Sequence, residues 1–72
     1  MKLKSLLSKR ETTIEYRTND PEGLDILAGY CKWDGNDLIP LDGDTYSIED
    51  VIARYEWTAE DHLTVWYKST WI

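Results

Sequence analysis

The sequence predicts an α+β fold, in which a short N-terminal helix packs on a twisted antiparallel sheet of four or five strands. Three observations predict it: leucines at helical spacing in "MKLKSLLSK", alternating apolar and polar residues in "TTIEYRT", and two Asp-Gly pairs typical of hairpin turns. A chain of 72 residues has room for a single small domain, which buries only about 60% of its unfolded surface. A strongly twisted sheet of this size could also close into a small barrel.

The N-terminal helix is predicted from Lys2 to Ser8. Leu3, Leu6 and Leu7 follow the i, i+3, i+4 spacing of one helical face, with lysines elsewhere. Two helical turns are only marginally stable alone, so these leucines are expected to dock on the sheet.

The first strand is predicted at Thr12–Thr18, with Ile14 and Tyr16 on one face. The next strand, Leu24–Trp33, is apolar on both faces, which is typical of a strand near the middle of a sheet. Its pattern places Leu27, Cys31 and Trp33 on one face and Ile26, Ala28 and Tyr30 on the other, and Gly29 indicates a bulge.

The third strand, Leu38–Leu41, is predicted at an edge because Pro40 cannot donate a ladder hydrogen bond. A single helical turn is then expected at Ser47–Asp50, with Ser47 as its cap. The β-branched and aromatic residues of Val51–Thr58 predict a further strand.

The last two strands are predicted to form a hairpin whose three-residue loop is Ala59–Asp61. The two-residue period of side chains along a strand favours this register, because a slip of one residue would pair apolar with polar side chains. One face then pairs Trp57 with Leu63, Tyr55 with Val65 and Ala53 with Tyr67, and the other pairs Glu56 with Thr64, Arg54 with Trp66 and Ile52 with Lys68.

This register brings a candidate partner-binding surface together from Arg54, Glu56, Trp66 and Lys68. The guanidinium of Arg54 is expected to stack on the indole of Trp66. The alternative is that the N-terminal helix covers this face, so that Trp66 packs against Leu3 or Leu7, because an apolar helical stripe needs a partner.

Charge and cysteine content restrict the partners and the compartment. The net charge is −6, which disfavours direct binding to nucleic acid or to anionic lipid. Cys31 is the single cysteine, so no internal disulfide framework forms and a reducing compartment is indicated. No segment is typical of a signal peptide or a membrane span, and we therefore expect a cytoplasmic protein.

The sequence fits no motif for catalysis, metal binding or cofactor binding. The turns around Asp34-Gly35 and Asp42-Gly43 lack the spacing of a calcium loop. His62 follows Asp61, but neighbours on a strand point to opposite faces. We therefore expect a protein that is not an enzyme and that needs no cofactor or metal.

Two classes of function follow from these features. The leading hypothesis is a non-enzymatic interaction module that binds another protein, or a second copy of itself, through an edge strand or through the Arg54 and Trp66 face. Trp33, Trp66 and Trp71 could instead stack on a sugar, although packing in the core or at its rim explains them more simply.

The rival hypothesis is an acidic mimic of nucleic acid that inhibits a host nuclease. Its carboxylates would form a negative rim at the ends of the sheet, whereas the simpler interpretation is that acidic turns confer solubility. The candidates are Asp20, Glu22, Asp25, Asp34, Asp37, Asp42, Asp44, Glu49, Asp50, Glu60 and Asp61.

The opening "MKLKSLLSK" and the segments "LDGDTYSIEDVIARYEW" and "LTVWYK" resemble small accessory proteins that phages and integrative elements of Gram-positive bacteria encode in short operons. The resemblance implies a cytosolic accessory protein without known catalytic residues. It assigns no site residue to this chain.

Overall fold

The chain forms one open five-stranded sheet in the computed structural model, which describes residues 1–19, 22–43 and 45–67. A short 3₁₀ helix at Leu3–Leu6 comes before the strands. The strands are β1 (Thr12–Asn19), β2 (Asp25–Trp33), β3 (Leu38–Gly43), β4 (Ile52–Ala59) and β5 (His62–Tyr67). Their order across the sheet is β3-β2-β1-β5-β4.

The sheet is mixed, so the expectation of a purely antiparallel sheet is wrong at one pairing. β1 lies at the centre and runs antiparallel to β2 but parallel to β5, from Thr13 opposite His62 to Arg17 opposite Trp66. The reason is that β3 and β4 lie at opposite edges, so their connection carries the β4-β5 hairpin to the far side of β1. Because β3 and β4 are edges and are not paired with each other, the sheet does not close into a barrel.

One face of the sheet, called the core face here, is covered by the connection between β3 and β4 and by the N-terminal segment. Tyr46 in the connection stacks on Tyr16 of β1, with ring centroids 3.8 Å apart. The N-terminal segment is bound to the connection by hydrogen bonds from the Leu3 amide to Asp50 and from the Lys4 amide to Ile48. The buried core comprises Leu3, Ile14, Tyr16, Cys31, Trp33, Tyr46, Ile52, Leu63 and Val65.

The predicted helix at Lys2–Ser8 is wrong in type and length, since only Leu3–Leu6 is helical and its geometry is 3₁₀. Its backbone groups have partners elsewhere: Lys2 forms an antiparallel bridge with Val51, and the Leu3 amide bonds to the β3-β4 connection. These bonds compete with the i to i−4 pattern of an α-helix. The expected docking is confirmed for Leu3, which is fully buried.

The bulge expected at Gly29 lies beside it, at Ala28. Tyr16 faces Gly29 while Arg17 faces Leu27, so Ala28 is the extra residue. A bulge reverses the side-chain alternation beyond it. The prediction that Leu27 shares a face with Cys31 is therefore wrong, because Leu27 pairs with Arg17 on the face opposite the core.

The other predicted boundaries hold to within a few residues. β3 is an edge strand that contains Pro40, as predicted. Ser47 to Asp50 forms one hydrogen-bonded turn, in which the Asp50 amide donates to the Ser47 carbonyl at 3.0 Å. In the described part of the chain, no helix has the length and apolar character needed to cross a membrane.

Candidate interaction surface on the open face and the β4 edge

The register predicted for the β4-β5 hairpin is confirmed over its central four pairs and wrong at both ends. At the loop, Ala59 pairs with His62, so the loop is Glu60-Asp61 and not three residues. At the other end, Ile52 faces Tyr67 instead of Lys68, because Ala53 bulges out. The confirmed pairs are Arg54 with Trp66, Tyr55 with Val65, Glu56 with Thr64 and Trp57 with Leu63.

Trp66 lies on the face of the sheet opposite the core, called the open face here. The alternative in which the N-terminal helix covers Trp66 is wrong, because the N-terminal segment packs on the core face, where Leu3 is buried. The guanidinium carbon of Arg54 lies 3.8 Å from the centre of the indole ring, as expected. Such a stack stabilises an exposed pair by about 0.5 to 1 kcal/mol.

A hydrogen-bonded network fixes the indole from its other side. The Trp66 Nε1 group donates to Asp25 Oδ1 at 2.9 Å, and Asp25 Oδ2 accepts from Arg17 at 3.3 Å. Arg17 also donates through Nε to Glu15 at 2.6 Å, which raises the pKa of Arg17 further above its ordinary value. The open face therefore presents a fixed arrangement of one indole and two guanidinium groups.

Three of the four predicted surface residues are on this face. Arg54 and Trp66 are in contact, and Glu56 lies two positions along β4 on the same side. Glu56 is exposed and forms no ion pair with any residue that the structure describes. Lys68, the fourth, lies outside the described residues.

The outer edge of β4 presents backbone groups at two positions, which follow from the pairing of its neighbours. The Thr13 amide donates to the Asp61 carbonyl at 2.8 Å, so odd-numbered residues of β5 turn their backbone groups towards β1. Thr64 and Trp66 consequently turn theirs towards β4. The backbone groups of their partners, Glu56 and Arg54, therefore point inwards, towards β5. The N–H and C=O groups of Tyr55 and Trp57 therefore point outwards.

The start of the same edge is already occupied. The Ile52 amide donates to the Met1 carbonyl at 2.6 Å, and Lys2 bridges Val51. Met1 and Lys2 thus resemble a short added strand, whose pairing reaches along β4 only as far as Ile52. The edge is open only beyond that point.

Tyr55 and Trp57 also expose their rings. Both lie on the core face but past its cover, and they are 41% and 44% exposed. Trp57 borders an open groove of about 400 Å³ whose walls include Leu6 and Arg10. Sequence reasoning placed these two aromatics on the apolar face and missed their exposure. The signal was the short N-terminal segment, which is too small to cover all five strands.

The opposite edge of the sheet is less suited to an added strand. Pro40 lies in the middle of β3, opposite Cys31, and has no N–H to donate. Ile39 beside it is 44% exposed, as much as Trp57. β3 therefore provides a matched comparison for β4.

Cys31 and Asp34, which were also considered for chemistry, are engaged within the fold. Burial raises the pKa of the Cys31 thiol to about 12, so the thiolate nucleophile does not form near neutral pH. Asp34 accepts backbone N–H bonds from Asp37 at 2.6 Å and Asn36 at 2.8 Å, which lowers its pKa. Within residues 1–19, 22–43 and 45–67, no three His, Cys, Asp or Glu side chains group as metal ligands would.

Trp33 and Trp66, two of the three tryptophans considered for sugar stacking, are engaged within the protein. Trp33 is buried and donates its Nε1–H to the Ser8 carbonyl at 2.6 Å. Trp66 has one ring face covered by Arg54. Trp71 lies outside the described residues.

Comparisons with protein-family models, with curated proteins and with solved structures found nothing that matches this chain.

Proposed function

We propose that this chain is a small, non-enzymatic module that binds another protein through β4 and the adjoining open face. The observation that carries the proposal is the outer edge of β4, where Tyr55 and Trp57 present both backbone groups and exposed aromatic rings. Natural proteins usually protect such edges, because an unpaired strand attracts another one. Addition of a strand to an exposed edge is a general mode of protein recognition.

The open face supports the same proposal. Arg54, Glu56 and Trp66 lie beside the β4 edge, and we include Lys68 with them as predicted from the sequence. Trp66 is already held by Arg54 and Asp25, so little side-chain freedom would be lost on binding. We propose that the module acts in the cytoplasm as an accessory protein of a phage or integrative element.

Site-specific cross-linking tests the proposal. A photoreactive phenylalanine analogue in place of Tyr55 is expected to cross-link a partner in lysate of the source cells. The same analogue in place of Ile39 on β3 serves as the control, because Ile39 is exposed to a similar extent. Cross-links of equal yield at both positions, or at neither, would contradict a role for β4.

The rival proposal of a nucleic-acid mimic has less support, because several of its carboxylates are engaged within the protein. Glu49 pairs with Lys2 at 2.9 Å and with Lys4 at 3.2 Å. Asp25 pairs with Arg17 and Asp34 caps its own turn. A mimic's affinity for a basic cleft would fall steeply with rising salt, whereas binding through the backbone and rings of Tyr55 and Trp57 is expected to fall much less.

A further inference from the structure

We propose that the outer edge of β4 accepts an extended segment of another protein in which a basic residue lies between two apolar ones. This inference rests on the proposed function and adds the chemistry of the partner. Its basis is the outward orientation of the backbone groups of Tyr55 and Trp57 and the negative charge of Glu56 between them.

The apolar positions follow from the pairing geometry. An antiparallel strand added to this edge would form hydrogen-bonded pairs with Tyr55 and Trp57, giving four backbone hydrogen bonds. Paired residues point their side chains to the same side of a sheet. The two partner residues would therefore lie beside the exposed rings of Tyr55 and Trp57, where burial favours apolar side chains.

The basic position follows from the residue between them. The partner side chain opposite Glu56 would lie on the open face in a non-hydrogen-bonded pair, where side chains approach most closely. Glu56 has no ion-pair partner in the described part of the chain, and Arg54 beside it is stacked on Trp66. The net charge of −6 also attracts a basic segment over longer distances.

The bulges limit the length of the added strand. The register of β4 against β5 shifts between Ile52 and Arg54 and again between Trp57 and Ala59. Bulges bend a strand and interrupt regular pairing. The regular edge is therefore Arg54–Trp57, and Met1 occupies the position next to Ile52.

A second copy of this chain fits the edge less well. In a two-fold antiparallel pairing that uses Tyr55 and Trp57 of both copies, Glu56 would lie directly opposite Glu56, and like charges in such a pair are destabilising. A pairing centred on Tyr55 would avoid this repulsion but would place Thr58 of the other copy in the position of Met1. The edge thus disfavours itself and favours a foreign strand.

Amide hydrogen exchange with two synthetic peptides tests the inference. The probe is acetyl-Thr-Val-Lys-Val-Thr-amide, and the comparison peptide has Glu in place of Lys. At millimolar concentration the Lys peptide is expected to slow exchange of the Tyr55 and Trp57 amides by roughly tenfold or more, as hydrogen bonding of exposed amides does. The Glu peptide is expected to have a much smaller effect.

Two variants test whether the charge of Glu56 determines the preference for the Lys peptide. Glu56→Lys is expected to reverse the preference, so that the Glu peptide protects the two amides better. Asp42→Lys makes the same charge change on the other edge strand and is expected to leave the preference for the Lys peptide intact.

The inference would be overturned by equal protection from both peptides, by protection of β3 amides instead, or by a stable dimer whose Tyr55 and Trp57 amides are protected without peptide. Absence of any protection at these two amides would also overturn it. Specific cross-links at Tyr55 would in that case still support the proposed function, with a partner of different chemistry.

Discussion

Among the described residues Tyr16 is the largest fully buried side chain, and its hydroxyl lacks a good hydrogen-bond partner there, since the polar group it meets is the weakly hydrogen-bonding thiol of Cys31. The ring packs well, stacked on Tyr46 and tilted against Tyr67 with centroids 6.1 Å apart. A buried hydroxyl without a partner opposes folding by the cost of its lost hydration. The ring of Tyr16 is therefore well packed, while its hydroxyl is poorly satisfied.

We expect Tyr16→Phe to raise the free energy of unfolding by about 1 kcal/mol, because it removes the unsatisfied hydroxyl and keeps the ring. Urea denaturation followed by tryptophan fluorescence would measure the change. Tyr55→Phe is the control, since that hydroxyl belongs to an exposed residue, and no change is expected there. A loss of stability in Tyr16→Phe would show that the hydroxyl has a partner in solution.

Because of Cys31, the free energy of unfolding is expected to depend on pH in the alkaline range. Burial and the charge of Asp50 raise the pKa of its thiol from 9.0 to about 12, so the folded state holds the proton more tightly than the unfolded state. The stabilisation is complete below pH 9 and is lost as pH rises towards 12, by up to about 1.4 kcal/mol per pH unit. Tyr16 acts in the same direction, because burial raises its pKa as well.

The expected result is a free energy of unfolding that declines between pH 9 and pH 11, with a smaller decline in Cys31→Ala. Urea titrations at several pH values would measure both slopes. Equal slopes in the two proteins would contradict the assignment to Cys31.

For individual side chains, the sequence predicts contacts within a hairpin better than contacts between strands far apart in the sequence. Arg54 on Trp66 follows from a register that the apolar pattern determines. The hydrogen bond from Trp66 to Asp25 spans 41 positions, and no local pattern indicates it. It depends on β1 lying between the strands that carry these two residues.

Within β2, Gly29 lies where its partner strand leaves no room for a side chain. A side chain at Gly29 would collide with the backbone carbonyl of Asp42 and with the hydroxyl of Tyr46. At Gly23 nothing lies within 4 Å of the corresponding position, although its φ of +87° also favours glycine.

We expect Gly29→Ala to destabilise the protein by about 2 kcal/mol or more, because the β2-β3 pairing must shift to admit a methyl group. Gly23→Ala, which changes only the backbone preference, is expected to cost about 1 kcal/mol. Thermal unfolding monitored by circular dichroism would compare them. Similar losses in the two variants would show that backbone strain alone determines the cost at Gly29.

Strand positions were predictable from the sequence because alternation and turn residues are local signals. The type of the N-terminal helix was not, because the amides of Leu3 and Lys4 bond to Asp50 and Ile48 on a connection far away in the sequence. The bulge at Ala28 likewise reversed the expected face of Leu27, since a single extra residue changes every position before it.

For the whole molecule, the core is completed by two segments outside the sheet. Leu3 is fully buried although it lies near the start of the chain, and its amide is bonded to Asp50. The N-terminal segment therefore contributes to the core and to the β4 edge together.

We expect Leu3→Ala to reduce the free energy of unfolding by about 2 to 5 kcal/mol, as removal of a buried leucine side chain does. Leu24→Ala is the matched control, because Leu24 is 63% exposed, and a change within about 0.5 kcal/mol is expected. Chemical denaturation would measure both. Equal effects would mean that the N-terminal segment is not part of the core in solution.

The topology could not be predicted, because the apolar pattern of β5 is the same whether it pairs parallel or antiparallel with β1. What decides it is that the connection between β3 and β4, of which residues 45–51 are described, leads from one edge of the sheet to the other. Tyr46, in this connection, packs on the core face, which the N-terminal helix was expected to cover.

The parallel pairing of β1 with β5 also determines when this protein can fold during synthesis. β1 can pair with β2, its neighbour in sequence, as soon as both are synthesised, but its other edge cannot pair until residues 62–66 are available. Contacts of such large sequence separation slow folding, because a long loop must close before they form. Until His62–Tyr67 has left the ribosome, the central strand remains an open edge, and we expect the nascent chain to be most prone to aggregate during that interval.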